Sequence, residues 1–129
     1  MYGGKMNLNK NKPPIFDGGI VLVFPKSVSY SQITSLFGKD TDIQIFDDML
    51  EMTCAEVKNL CCWEVNDLLT KLFLQCDFEF LLLAQRQLGA KIVIDVTFHH
   101  YYQYPSLLFE GVNMENIHML KADISIDAY

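Results

Sequence analysis

From Ile92 to Tyr101 the side chains alternate: Ile92, Ile94, Val96 and Phe98 point one way, and Val93, Asp95, Thr97, His99 and Tyr101 the other. A period of two belongs to a strand with one buried and one solvated face, so the chain must build a half-buried, mostly antiparallel sheet. The apolar side of such a sheet needs a cover. Val65, Leu68, Leu69, Leu72, Phe73 and Cys76 recur at helical spacing and predict an amphipathic helix, with Asn66 or Asp67 available to cap its start. Asp77 caps a second helix through Phe78, Leu81, Leu82 and Gln85 to Gly89, separate from the first or continuous with it.

Upstream, residues 1–14 are mostly Gly, Asn, Lys and Pro with little to bury and read as a flexible arm, leaving 15–129 as a single domain. After the turn signal Asp17-Gly18-Gly19, the run Ile20–Phe24 predicts a short interior strand ended by Pro25. Ser29 and Gln32 have capping-box spacing, so a short helix Tyr30–Phe37 follows, with Ile33 and Leu36 inward and Gly38 as a left-handed stop. Ile43–Phe46 predicts an edge strand, and the Met and Cys residues up to Trp63 read ambiguously. A turn around Pro105 leads to a strand at Leu107–Phe109, a helix Met114–Lys121 and a last strand Ile124–Asp127. Val28–Leu36 and Val112–Leu120 align without gaps, the pattern either of pseudo-duplicated β-α-β units or of the periodicity that capped helices share. The expected class is α+β, with helices packed on one face of a mostly antiparallel sheet.

Half of the 129 residues are apolar, enough for a core without disulfides or metal. No run approaches the roughly 20 apolar residues of a membrane span. Lys5, Lys10 and Lys12 precede no apolar segment of a secretory signal, so the expected location is cytoplasmic, with reduced thiols.

The net charge of −6 has a definite place. Between Asp40 and Val57 stand Asp40, Asp42, Asp47, Asp48, Glu51 and Glu56 with no Lys or Arg, and the remaining acids and bases balance. Such a segment repels phosphate and attracts basic partners, which disfavours nucleic acid. It reads either as a solvated loop or as a docking surface for a basic protein. Tyr101, Tyr102 and Tyr104 lie in an aromatic run without nearby cations; they read as protein-contact residues or as a cover for the sheet end.

Catalytic and metal signatures are weak. Cys54, Cys61, Cys62 and Cys76 include no CxxC pair, and His99 and His100 face opposite sides of a strand, so no metal or cofactor is expected. Asp95, Thr97 and His99 share one face, and a thiol paired with His99 would require the fold to bring Cys61 or Cys62 beside it. No GxSxG, P-loop, dinucleotide fingerprint or HExxH occurs. The chain is expected not to be an enzyme.

The order of elements resembles a known group. A short strand, the capped helix with Ile33-Thr34-Ser35-Leu36-Phe37-Gly38, an acidic stretch, a single Trp63 before an amphipathic helix, a long strand, and a C-terminal helix running into Ile124-Ser125-Ile126-Asp127-Ala128-Tyr129 are similar to a family of small bacterial α+β proteins of unknown function. Members occur in polymorphic-toxin loci, and some resemble the immunity proteins of contact-dependent growth inhibition systems. The resemblance covers roughly residues 18 to 129; the Cys-rich stretch before Trp63 lies outside its pattern, and it has no catalytic motif to transfer. It implies a cytoplasmic protein, monomeric or weakly dimeric, that binds a cognate toxin domain and blocks its active site or substrate access. Asp40, Asp42, Asp47, Asp48 and Glu51 would lead the contact, with Glu56 and the three tyrosines beside them. The competing expectation is a cytoplasmic adaptor or homo-oligomerising domain, and a thiol- or metal-dependent enzyme stands third.

Overall fold

A computed structural model of the chain describes residues 12–129. The alternating segment forms β4, Lys91–His99, with Ile92, Ile94, Val96 and Phe98 buried. Its whole length pairs antiparallel with β1, Ile15–Val23, which sets Ile20 opposite Ile94 and Phe16 opposite Phe98, their rings 5.6 Å apart. On the other side of β1 lies β3, Met49–Cys61, and outside that β2, Ile43–Phe46, both antiparallel to their neighbours. The last strand, β5, Asp123–Ala128, runs parallel to β4. Across the sheet the order is β2-β3-β1-β4-β5. With four helices this is an α+β fold on a mostly antiparallel open sheet.

The helices are α1, Tyr30–Phe37; α2, Val65–Leu74; α3, Phe78–Leu88; and α4, Gly111–Leu120. The capping box of α1 is formed as expected: the Gln32 N–H donates to Ser29 Oγ at 3.3 Å, and the Ser29 N–H donates to Gln32 Oε1 at 2.7 Å. Asp77 caps α3 by accepting from the Glu79 N–H at 3.1 Å, and Gly89 ends it in the left-handed conformation. β1 through β4, with α1 between β1 and β2 and two helices between β3 and β4, follow the split β-α-β plan. A parallel neighbour cannot be reached by a hairpin, so the addition of β5 requires a crossover, which α4 supplies.

Several expectations are corrected. Asp17-Gly18-Gly19 is not a turn but the middle of β1. Gly18 lies where α2 comes closest, and a Cβ there would stand 2.8 Å from Leu68 Cδ2, so close approach rather than a bend explains this glycine. Gly38 has φ 101° and ψ 163°, outside the left-handed helical region, although its N–H still donates to the Thr34 carbonyl at 2.8 Å. Neither Asn66 nor Asp67 caps α2. Glu64 occupies that position without a side-chain bond, because Asn66 reaches out instead: its Nδ2 donates to the Leu108 carbonyl at 2.8 Å and its Oδ1 accepts from the Glu110 N–H at 3.3 Å. Those bonds hold Leu107–Phe109 as an irregular segment, and the strand expected there is reduced to one bridge between Glu64 and Ser106. The duplicated unit therefore lacks its second leading strand. The ambiguous Met and Cys stretch is β3, whose alternation is broken by two bulges opposite β1. The arm expected over residues 1–14 lies outside the described residues as far as residue 11; Pro14 is buried, and its carbonyl accepts from the Cys62 N–H at 3.2 Å.

Asn113 is the buried polar anchor of α4. Its Nδ2 reaches the Asn66 carbonyl at 3.0 Å and Thr70 Oγ1 at 3.1 Å, fixing α4 to α2.

Candidate functional site

Because Phe16, Ile20 and Leu22 are buried on one face of β1, Asp17, Gly19 and Val21 must lie on the other. Register extends that second face across the sheet. Gly19 pairs with Glu56 on one side and Asp95 on the other, Asp17 pairs with Thr97, and β5 brings Ser125 beside Asp95 and Asp127 beside Thr97. With no side chain at Gly19, a depression of about 210 Å³ opens over β1, walled by Asp17, Thr53, Glu56, Lys58, Asp95 and Thr97. Every residue lining it comes from a strand. The bulge in β3 shapes its rim: Asn59 has φ 55°, and its N–H donates to Asp17 Oδ1 at 2.7 Å.

Carboxylates outnumber cations on this face, where Lys58 stands among Asp17, Glu56 and Asp95. Partial burial raises the Asp95 carboxyl above its ordinary value, and Asp127 raises it further. Glu51 is raised by burial, then by Asp95, then by Asp47. The groups acting on both are carboxylates, so Asp47, Glu51, Asp95 and Asp127 form one interacting series across the strands. A carboxyl held above its unfolded value binds protons more tightly when folded, so its stabilising contribution is present below the unfolded value and is lost as pH rises through the folded one. Asp95→Asn is therefore expected to stabilise the chain at neutral pH, by a few tenths of a kcal/mol, on the order of a like-charge cross-strand contact. Urea midpoints of the two proteins should converge as pH falls through the carboxylate range; a gap that widens on acidification would contradict this.

The acids singled out in the sequence divide between locations. Glu51 and Glu56 stand on β3, and Glu56 is clasped through its backbone: its N–H donates to Gln75 Oε1 at 3.1 Å, and its carbonyl accepts from Gln75 Nε2 at 3.0 Å. Asp47 and Asp48 form the two-residue β2–β3 turn with φ of 51° and 64°, the mirror-image turn that suits a hairpin. Asp40 and Asp42 precede β2, and Asp42 lines a separate cleft of about 350 Å³ with Phe37, Gln75, Asp77 and Phe80. Asp95 and Thr97 were read as sharing a strand face but not as neighbours of the acidic segment; the residues missed are Asp17, Gly19 and Asp127, and at Asp17 and Gly19 the apparent turn concealed the period of two.

The tyrosines follow the end of β4 at His99, which pairs with Ile15, whereas Glu51 pairs with Val23, eight residue steps or about 26 Å further along β1. Tyr101 packs edge-on to His99 at 5.2 Å with Lys12 Nζ 4.4 Å from its ring centre, and Tyr104 lies against His100 at 4.3 Å and Phe98 at 6.0 Å. Tyr101 is half-buried at the sheet end, whereas Tyr102 and Tyr104 are both exposed. His100 Nδ1 is buried without a hydrogen-bond partner among the described residues.

Burial pushes Cys54 up to about 12, and Cys62 and Cys76 each up to about 11, so these three sulfurs are protonated thiols at neutral pH. Among the described residues, no three His, Cys, Asp or Glu side chains gather in a way that could hold a metal ion, and no helix is long and apolar enough to cross a membrane. The chain matches no protein-family model, no curated protein and no solved structure.

Proposed function

We propose that this chain is a non-enzymatic immunity protein that binds a cognate toxin domain with a cationic cleft, such as a basic nuclease, and blocks its active site or its substrate's approach. The observation that carries the reading is the gathering of carboxylates on one strand face: Asp17, Glu56 and Asp95 wall the depression, and strand register sets Glu51 opposite Val23 and Asp127 beside Thr97 on the same face. Closely spaced carboxylates imitate the charge of a phosphate backbone, and an arriving Lys or Arg would relieve their repulsion. The resemblance to proteins of polymorphic-toxin loci supports the same reading and implies action in the cytoplasm. Sheets that bind single-stranded nucleic acid on such a face use stacked aromatics and cations, whereas no aromatic lines this depression and its single cation, Lys58, stands among Asp17, Glu56 and Asp95, which favours a protein partner.

A second reading, a homo-oligomerising adaptor, is favoured by the apolar residues exposed at and before α4: Leu107, Leu108, Val112, Met114 and Met119. Native mass spectrometry of the chain mixed with the toxin domain encoded immediately upstream, followed by that domain's toxicity assay, separates the two. A one-to-one complex with toxicity lost is expected. No complex and undiminished toxicity would overturn the immunity reading, and a concentration-dependent mass of the chain alone would favour the oligomer.

A further inference from the structure

The edges of the sheet are protected unequally. Along the second half of β3, beyond the reach of β2, the Gln75 side chain occupies the backbone of Glu56. The β5 edge carries Asp123 and Asp127, charges of the kind that discourage strand addition. The β2 edge has no such device within Ile43–Phe46: Ile45 is 75% exposed and Phe46 63% exposed, on alternate faces of the strand. The two-residue turn makes Phe46 and Met49 a hydrogen-bonded pair, and alternation makes Gln44 and Glu51 the next. The N–H and C=O groups of Ile43 and Ile45 are then directed outward from the sheet.

Charge selects what can pair there. Asp40 and Asp42 precede the strand, Asp47 and Asp48 follow it, and no Lys or Arg occurs from Asp40 to Val57. A second copy of this chain is a poor occupant, because antiparallel pairing of β2 with itself through Ile43 and Ile45 would set Asp42 or Asp40 of one copy opposite Asp48 of the other. We propose that β2 is a docking edge for an extended segment of a basic protein, which adds to the sheet as a sixth strand with its Lys or Arg residues beside the flanking aspartates and its apolar side chains against Ile45 and Phe46. The proposal rests on the reading of this chain as a binder of basic protein, and it places the contact on backbone as well as on charge.

The test uses the intact chain and a short synthetic peptide alternating valine with lysine and arginine, followed by NMR. Saturable binding is expected, with the Ile43 and Ile45 amides protected from exchange. The same peptide N-methylated along one backbone edge, and one with glutamate for its cations, should each bind about tenfold more weakly or worse, since a lost hydrogen bond or a like-charge contact is worth about that factor. Ile45→Pro should also weaken binding about tenfold, and Ile45→Val, which keeps both the N–H and an apolar side chain, should not. The N-methylated peptide decides the matter if the proline variant fails to fold. Equal affinity for the N-methylated peptide, no binding at all, or shifts confined to Asp95 and Thr97 with the β2 amides unchanged would each overturn the edge proposal. The last of these would leave the acidic-face reading standing, whereas loss of the toxin complex in the experiment above would remove that reading itself.

Discussion

Leu68→Ala is expected to destabilise the fold by about 2–5 kcal/mol, the range for emptying a fully buried leucine site. Leu68 is not only one core residue among many. Its Cδ atoms fill the space above Gly18, where β1 and α2 come closest. Gly18→Ala alone should cost about 1–3 kcal/mol, because the new methyl group would start 2.8 Å from a buried side chain with little room to retreat. In the double variant the alanine at position 18 occupies part of the cavity left at position 68. The two costs should therefore fall short of additive by about 0.5 kcal/mol or more, read as urea midpoints in a double-mutant cycle. Additive costs would mean that Gly18 serves something other than the approach of α2.

The second large effect concerns association. Replacing Glu51 and Asp95 together by lysine reverses the centre of the carboxylate series, whereas replacing Asp40 and Asp42 changes charge before β2 and away from the depression. The first pair is expected to slow association with the toxin domain by about tenfold or more at low salt and to flatten the dependence on ionic strength. The second pair should have the smaller effect on the rate. Stopped-flow association between about 50 and 500 mM salt, where the screening length changes about threefold, measures both. Rates that do not change with salt or with either substitution would remove electrostatic steering.

What the sequence made legible was local. The alternation of β4, the Ser29–Gln32 box of α1 and the Asp77–Gly89 bounds of α3 depend on neighbours within a few residues, and each formed as read. The failures have tertiary causes. β3 was unreadable because the bulges near Cys54 and Asn59 each add a residue and reverse the parity on which a strand pattern relies. The first half of β1 was hidden because glycines that serve contact with Leu68 and an open depression look like turn residues. The acidic site shows the same division. Asp47, Glu51 and Glu56 are close in sequence and were found as a charge cluster; Asp17, Asp95 and Asp127 join them only through strand register, which no linear scan contains.

The central position of β1 has a consequence for how the chain is made. It is the first strand synthesised, yet its partner Ile94 lies about 75 residues downstream of Ile20. At elongation rates of about 5–20 residues per second, the apolar segment Ile20–Phe24 waits on the order of 4–15 s before β4 has been synthesised to pair with it. During that interval β1 can be sheltered by the β2–β3 hairpin and by the helices α1, α2 and α3, all of which precede β4. Until β4 arrives, the apolar face of β1 is exposed to association with other chains, so the long separation of β1 from β4 is a hazard of synthesis that the finished sheet does not show.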